Sequence, residues 1–290
     1  MGQFGTMSMK KRWGSLGLAV VLLGTFAARA VAQASAIPSA QKPAEVAGEN
    51  RGRKLLGQMV TALGGDAWLN RKDWIEVGKG ATFYKGAANP YVTEFERYYR
   101  AEPYGERVVI VSKMGVLIPT TKRDIAEVWT PDDGFEITFR GKKELLKEDI
   151  ADYKLRRAHT LDVVVKNWLK QPDVLVTYEG TDMVDRHLAD KISVLTATND
   201  AVVLELDEST HLPLSRSFQS RNPVYHDLDT DIEEYDDYHP IQGIMTPLTL
   251  TRLRNGDMVS QRFLTKVTYN VGLAPDLFDP DRPLAQKIKK

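Results

Sequence analysis

The feature that most constrains this chain is the strict two-residue alternation in residues 201–218, AVVLELDESTHLPLSRSF. Val202, Leu204 and Leu206 interleave with Val203, Glu205 and Asp207. A period of two puts one set on each face of a strand and rules out a helix there. Asp207, Glu208, Ser209 and Thr210 follow, and short polar side chains of this kind close turns by bonding their own backbone. Leu212, Leu214 and Phe218 then resume at alternate positions. Pro213 cannot donate to a central ladder, so the second strand is expected to begin at it or to lie at an edge.

Most of the chain obeys the same period. It predicts strands over residues 74–84, 91–100, 107–114, 127–130 and 135–139 in the first half. In the second half it predicts them over 174–179, 192–196, 201–206, 212–219, 234–239, 244–254 and 258–270. Asn255-Gly256 is the strongest hairpin signal, because both residues tolerate positive φ. Gly78 and Gly80 inside a strand point to a bend or bulge. Two segments break the pattern. Leu55, Leu56, Met59, Val60 and Leu63 recur at helical spacing in residues 51–63, which Gly64-Gly65 ends. Leu161, Val164, Val165, Trp168 and Leu169 recur likewise within residues 143–171, with Pro172 just beyond. Sequential antiparallel strands suggest an open or nearly closed barrel, and an amphipathic helix must cover apolar surface of that sheet.

The first 32 residues read as a secretory signal. Lys10, Lys11 and Arg12 form a basic start, residues 16–28 an apolar run, and Ala30-Val31-Ala32 a small-x-small cleavage site. The apolar run is short against the roughly 20 residues of a membrane span. Residues 33–50, rich in Ala, Ser, Pro and Gln, read as a flexible leader, residues 51–283 as one domain, and residues 284–290 as a basic tail. The whole chain has 39 basic and 39 acidic residues. The signal holds four of the basic ones and no acid, so its removal leaves a net charge of −4. That balance gives no general attraction for nucleic acid. The chain has no cysteine, so the fold rests on its core rather than on disulfides.

Motifs for chemistry are sparse. The five histidines, His159, His187, His211, His226 and His239, show no metal-ligand spacing and read as structural. No Gly-x-Ser-x-Gly nucleophile motif and no phosphate-cradling glycine loop occurs. In residues 225–239 Asp227, Asp229, Asp231 and Glu233 alternate, which puts them on one side of an extended segment. A calcium loop would need a turn glycine that is absent there, so a charged strand face is expected. The remaining signal is apolar and aromatic: Trp68, Trp74, Trp129, Trp168, Phe83, Phe95, Phe135, Phe139, Phe218 and Phe263. Such residues fill a core, and in a small barrel they can also line a cavity.

One order of features resembles a known family. Val203-Leu-Glu-Leu-Asp207, then Thr210-His-Leu-Pro213, a Tyr-x-x-Tyr strand (Tyr235, Tyr238), Tyr269-Asn-Val-Gly-Leu273 and Leu277-Phe-Asp-Pro280 are similar to the outer-membrane lipoprotein-sorting, LolA-like proteins. The resemblance implies a mainly β fold with α: an incomplete antiparallel β-barrel of about 11 strands whose concave face is lidded by helices. It implies a periplasmic monomer that moves the acyl chains of lipoproteins or other lipids toward the outer membrane, with a membrane-anchored delivery or acceptor partner, no cofactor and no chemistry. It also implies that Leu161, Val164, Val165 and Trp168 form the lid face, and that Trp129, Phe135, Ile137 and Phe139 help line the cavity. On that reading Trp168→Asp impairs cargo binding with modest loss of fold. The same fold serves envelope-stress or lipid-sensing modules, which is the first alternative; an envelope hydrolase is the second.

Overall fold

The computed structural model describes residues 41–111, 125–282 and 284. The signal segment 1–32, the first part of the leader, the end of the strand expected at 107–114 and all but the first residue of the basic tail lie outside the described residues. In chain order come α1 (Gln41–Leu63), α2 (Asp66–Leu69), β1 (Asp73–Tyr84), β2 (Ala87–Ala88), β3 (Thr93–Arg100), β4 (Gly105–Val111), β5 (Ile125–Trp129), β6 (Gly134–Thr138) and β7 (Gly141–Glu144). Then come α3 (Lys147–Ala158), α4 (Leu161–Lys166), β8 (Leu175–Val184), β9 (His187–Leu195), β10 (Ala201–Asp207) and β11 (Pro213–Arg221). β12 (Leu228–Ile241), β13 (Ile244–Arg254) and β14 (Asp257–Tyr269) complete the sheet.

All pairings are antiparallel. The strand order is β7-β6-β5-β4-β3-β1-β14-β13-β12-β11-β10-β9-β8, with β2 paired to β1, and the two ends do not join. This is a 14-stranded incomplete barrel, against about 11 strands expected. The extra strands are short and carry no apolar alternation: β2 and β7 are exposed at every residue. The turn at Asn255-Gly256 has φ of 54° and 85°, and β11 begins at Pro213. Between Val77 and Gly78 the β1–β14 register shifts, and a Cβ on Gly78 would lie 2.3 Å from the Phe263 carbonyl oxygen. Only glycine lets the two strands approach that closely.

Helix α1 begins at Gln41 rather than at Arg51. Residues 41–50 carry too few apolar side chains to show a period, and Pro43 stands in the first turn, where its missing N–H has no helical partner to lose. The helix packs along β8 and reaches β13. Gly52 lets it sit close: a Cβ there would meet Val176 at 2.9 Å. Arg51 lies over the Tyr178 ring and pairs with Asp190, and Arg53 donates to the Val174 carbonyl.

One large apolar core fills the concave side beneath α1 and α4. Leu55, Leu56, Met59 and Leu63 of α1 and Val164 of α4 meet Val176, Ile192, Val194, Val202, Leu204, Leu206 and Phe218. Burial of each such side chain contributes roughly 1.5–3 kcal/mol. The convex face of β3–β6 has a smaller covering. Leu277 and Phe278, in a 3-10 turn at Pro275–Phe278, pack on Tyr98, while Ala126, Val128 and Ile137 form a neighbouring cluster. Asp73 ties this segment down by accepting from the backbone N–H groups of Val271, Gly272 and Leu273.

Candidate functional site

The other part of the concave face is hollow. A cavity of about 420 Å³ lies between the inward faces of β1, β3, β4 and β11–β14 and the helices α3 and α4. Strand alternation builds its floor. Inward positions Glu76 on β1, Arg97 on β3 and Glu106 on β4 come together, because Glu76 pairs in register with Arg97, and Arg97 reaches diagonally to Glu106, which stands opposite Tyr99, two residues further along β3. Arg97 forks onto Glu106, Nε to Oε1 at 2.8 Å and Nη2 to Oε2 at 3.0 Å, and its Nη1 reaches Glu76 Oε2 at 3.1 Å. Arg262 of β14 continues the row, with Nη1 3.7 Å from Glu76 Oε2 and Nη2 3.1 Å from Glu233 Oε1. Arg216 of β11 closes it, 3.4 Å from Glu233 and donating to the His159 carbonyl at 2.8 Å. Six charges therefore alternate in sign across the floor: Glu106, Arg97, Glu76, Arg262, Glu233 and Arg216.

Hydroxyl and indole donors complete the row. Trp74 Nε1 donates to Glu76 at 3.0 Å, Tyr235 to Glu233 at 2.9 Å and Tyr104 to Glu106 at 3.3 Å. Tyr153, from α3, donates to Glu106 and meets the Tyr104 hydroxyl. The helical cover is thus hydrogen-bonded to the floor at one end. Burial pushes the Glu106 carboxyl up, but Arg97 outweighs it and holds the group below its ordinary value. Burial likewise pushes Glu233 up, and Arg216 and Arg262 outweigh it, bringing it to about 2. Burial also raises the Tyr153 and Tyr235 hydroxyls, beside Glu106 and Glu233 respectively, so they remain donors. A buried charge is tolerated only when paired in this way.

Of the four alternating acids expected on one side of residues 225–239, Asp229, Asp231 and Glu233 share a face of β12 and are held by arginines, while Asp227 lies exposed before the strand. Asp231 accepts from Arg252 at 2.6 Å and Asp229 from Arg254 at 2.9 Å, while Asp152 of α3 pairs with Arg254 at 2.8 Å and Arg156 at 2.9 Å. Above the floor the walls are aromatic and aliphatic. Trp74 stacks on Tyr99 at 4.0 Å, and Trp68, Phe95, Leu161, Leu250 and Leu264 also face the cavity. Arg71 enters from the loop before β1, with its guanidinium 4.9 Å from the Trp68 ring and 4.8 Å from the Trp74 ring and paired to Asp162 at 2.6 Å.

Of the eight side chains expected to form lid and lining, Leu161 lines the cavity. Val164 and Trp168 are in the apolar core, and Val165 packs against it. His159 stacks on Phe218 and meets Trp168 edge-on, so this turn is packed shut. Trp129 faces inward behind the cavity wall, stacked on Tyr153 at 3.8 Å. Phe135 and Ile137 are on the convex side of β6, where Ile137 joins the cluster with Ala126 and Val128 and Phe135 meets Lys142. Phe139, in the turn after β6, is 69% exposed. These three therefore do not line the cavity, whose wall on this side comes from Val108 and Ile110 of β4 and Tyr153 of α3. The charged floor was not anticipated from the sequence, apart from the acidic face of β12.

Fold and cavity together define an open antiparallel half-barrel with helices across its concave face and a ligand-sized interior. A DUF1329 family protein from Desulfovibrio piger has this fold at TM-score 0.52 and 14% identity, the match covering 80% of this chain and 97% of that one. So does a provisionally assigned outer membrane lipoprotein-sorting protein domain from Vibrio parahaemolyticus, at TM-score 0.52 and 10% identity, covering 81% and 100%. A LolA superfamily protein from Nitrosomonas europaea superposes less closely, at TM-score 0.47 and 14% identity, covering 78% and 96%. The fold that the resemblance implies is the one the first two of these structures share. The sequence matches no protein-family model and no curated protein.

Proposed function

We propose that the protein is an exported carrier that shelters the acyl chain of a lipoprotein or another lipid in its half-barrel and moves it toward the outer membrane, where a membrane-anchored acceptor takes it. The observation that carries this reading is the 420 Å³ cavity, walled by Trp68, Phe95, Leu161, Leu250 and Leu264 on a charged floor. Its volume lies in the range of about 300–1,000 Å³ typical of single-ligand pockets. A polar floor beside an apolar wall suits an amphiphile: each buried methylene contributes about 0.8 kcal/mol, and the polar end meets fixed donors. The reading needs no cofactor and no bond chemistry, only reversible burial beneath α3. Leu161 and the aromatic walls act as the contact surface, with Trp129 and Trp168 supporting them from behind. Export rests on the signal features of residues 1–32.

Mass spectrometry of the protein purified from the periplasm tests this. Near-stoichiometric acylated peptides or lipids are expected. A clean protein that also fails to take up a fluorescent fatty acid would overturn the carrier reading.

A further inference from the structure

We infer that the cavity selects a ligand with an anionic head, a carboxylate or a phosphate, which Arg157 and the Tyr99 hydroxyl receive at the α3 end of the floor. This rests on the carrier reading and specifies its ligand class. Seven arginines line the cavity against three glutamates and one aspartate. Six of the seven have carboxylate partners. Arg97, Arg216 and Arg262 are held in the floor, Arg71 by Asp162, Arg156 by Asp152 and Arg252 by Asp231.

Arg157 differs from the other six. Among the described residues it has no carboxylate partner. Its Nη2 donates to the Pro131 carbonyl at 3.1 Å and its Nη1 lies 3.5 Å from the Thr130 carbonyl, and its guanidinium sits 3.9 Å over the Tyr104 ring. It is half-buried, so solvent screens it less than a surface cation. The adjacent acids are already paired with other cations. Glu106 accepts from Arg97, Tyr104 and Tyr153, and Asp162 pairs with Arg71 and with Lys166 at 3.2 Å.

Tyr99 is the second donor. It lines the cavity with its ring fixed by Trp74 on one side and by the edge-on Tyr104 at 5.6 Å on the other. Its hydroxyl has no hydrogen-bond partner among the described residues, whereas the hydroxyls of Tyr104, Tyr153, Tyr235, Tyr238 and Tyr269 all have one. Burial pushes its pKa up, so the hydroxyl stays protonated and remains a donor. One unmatched cation and one unused hydroxyl, bridged by Tyr104 at the edge of an apolar wall, form a receptor for a single negative group with a chain attached. Guanidinium binds either a carboxylate or a phosphate through two parallel bonds.

The test is titration of the purified mature protein with three probes of one chain length: palmitate, hexadecyl phosphate and hexadecanol. Both anions are expected to bind about tenfold or more tightly than the alcohol, since hydrogen bonds to a charged group are worth about a factor of ten each. Arg157→Gln should erase that difference, Arg157→Lys should keep part of the phosphate binding, and Tyr99→Phe should weaken both anions several-fold. Tighter binding of one anion alone would support the inference and name the source of the charge. Equal binding of all three, unchanged in Arg157→Gln, would overturn the anionic head while leaving the carrier reading standing. Failure of all three probes with a folded protein would overturn both.

Discussion

The concave face of this half-barrel is built twice by the same alternation and to opposite effect. Under α1 and α4 the inward positions of β9 and β10 are Ile192, Val194, Val202, Leu204 and Leu206, each 0% exposed, and the space is filled. Under α3 the inward positions of β1, β3 and β4 include Glu76, Arg97 and Glu106, and the space is open. The filled region stabilises by apolar burial, which needs no precise partner. The hollow region is held by paired charges whose mutual attraction roughly offsets their desolvation. Stability is thus concentrated in one part of the sheet, and the other is left free to keep a polar interior accessible to a ligand. The ion pairs also explain why the cavity does not collapse: closing it would bury charges more deeply against apolar walls.

Two substitutions should separate the regions most strongly. Arg97→Met leaves Glu76 and Glu106 without their shared cation, and removing one partner of a buried pair costs about 3–5 kcal/mol. Leu204→Ala opens a void in the filled region and costs about 2–5 kcal/mol. Denaturant unfolding should show both losses. Ligand titration under conditions where each variant remains folded should show weakened binding in Arg97→Met and unchanged binding in Leu204→Ala. Equal effects on binding would mean that the two regions are mechanically one.

Acid sharpens the same contrast by a smaller amount. Glu233 in the hollow region is lowered from 4.5 to about 2, burial pushing it up and Arg216 and Arg262 outweighing that. Asp207 at the end of β10 is lowered from 3.8 to about 2, burial again opposing and hydrogen bonds from Ser209 and Thr210 prevailing. A depressed carboxyl contributes stability that is present above its ordinary value and lost as pH falls through the folded one. Both contributions should therefore disappear between about pH 4.5 and about 2. Glu233→Gln should lower the urea midpoint at neutral pH and flatten its fall across that window. Asp207→Asn should flatten it while leaving ligand binding at neutral pH intact. A Glu233→Gln profile parallel to wild type would show that the floor does not depend on this ionisation.

Local patterns in the chain reveal what depends on neighbours in sequence. The alternation of Val202, Leu204 and Leu206 places them on one face, Asn255-Gly256 closes its hairpin, and Asp229, Asp231 and Glu233 share a side of β12. The floor depends on which strands become neighbours. Arg97, Glu76 and Arg262 meet only because β14 pairs with β1 across nearly the whole chain, and no spacing encodes that meeting. The apolar stripe of residues 161–169 shows that the segment covers something. Whether a cavity or packed side chains lie beneath is decided by Phe218 and α1, which come from elsewhere in the chain and close on this segment together with the neighbouring His159. For that reason Trp168→Asp, expected from the sequence to impair cargo binding with modest loss of fold, should instead act mainly on stability, since the side chain is 7% exposed within the core.

The smallest effect is expected where sequence pattern and sheet geometry diverge most. Phe135, Ile137 and Phe139 share a period, and a period fixes that side chains lie together without fixing which face of the sheet they occupy. Here the convex face of β5 and β6 is itself covered, so a buried position such as Ile137 gives no sign of the cavity. Phe139→Ser, at a side chain 69% exposed, should change stability by no more than about 0.5 kcal/mol and leave ligand affinity unchanged. Ile137→Ala should destabilise through the rear cluster and also leave affinity unchanged. A loss of binding in Phe139→Ser without a shift in unfolding would place the turn after β6 in the path of the ligand.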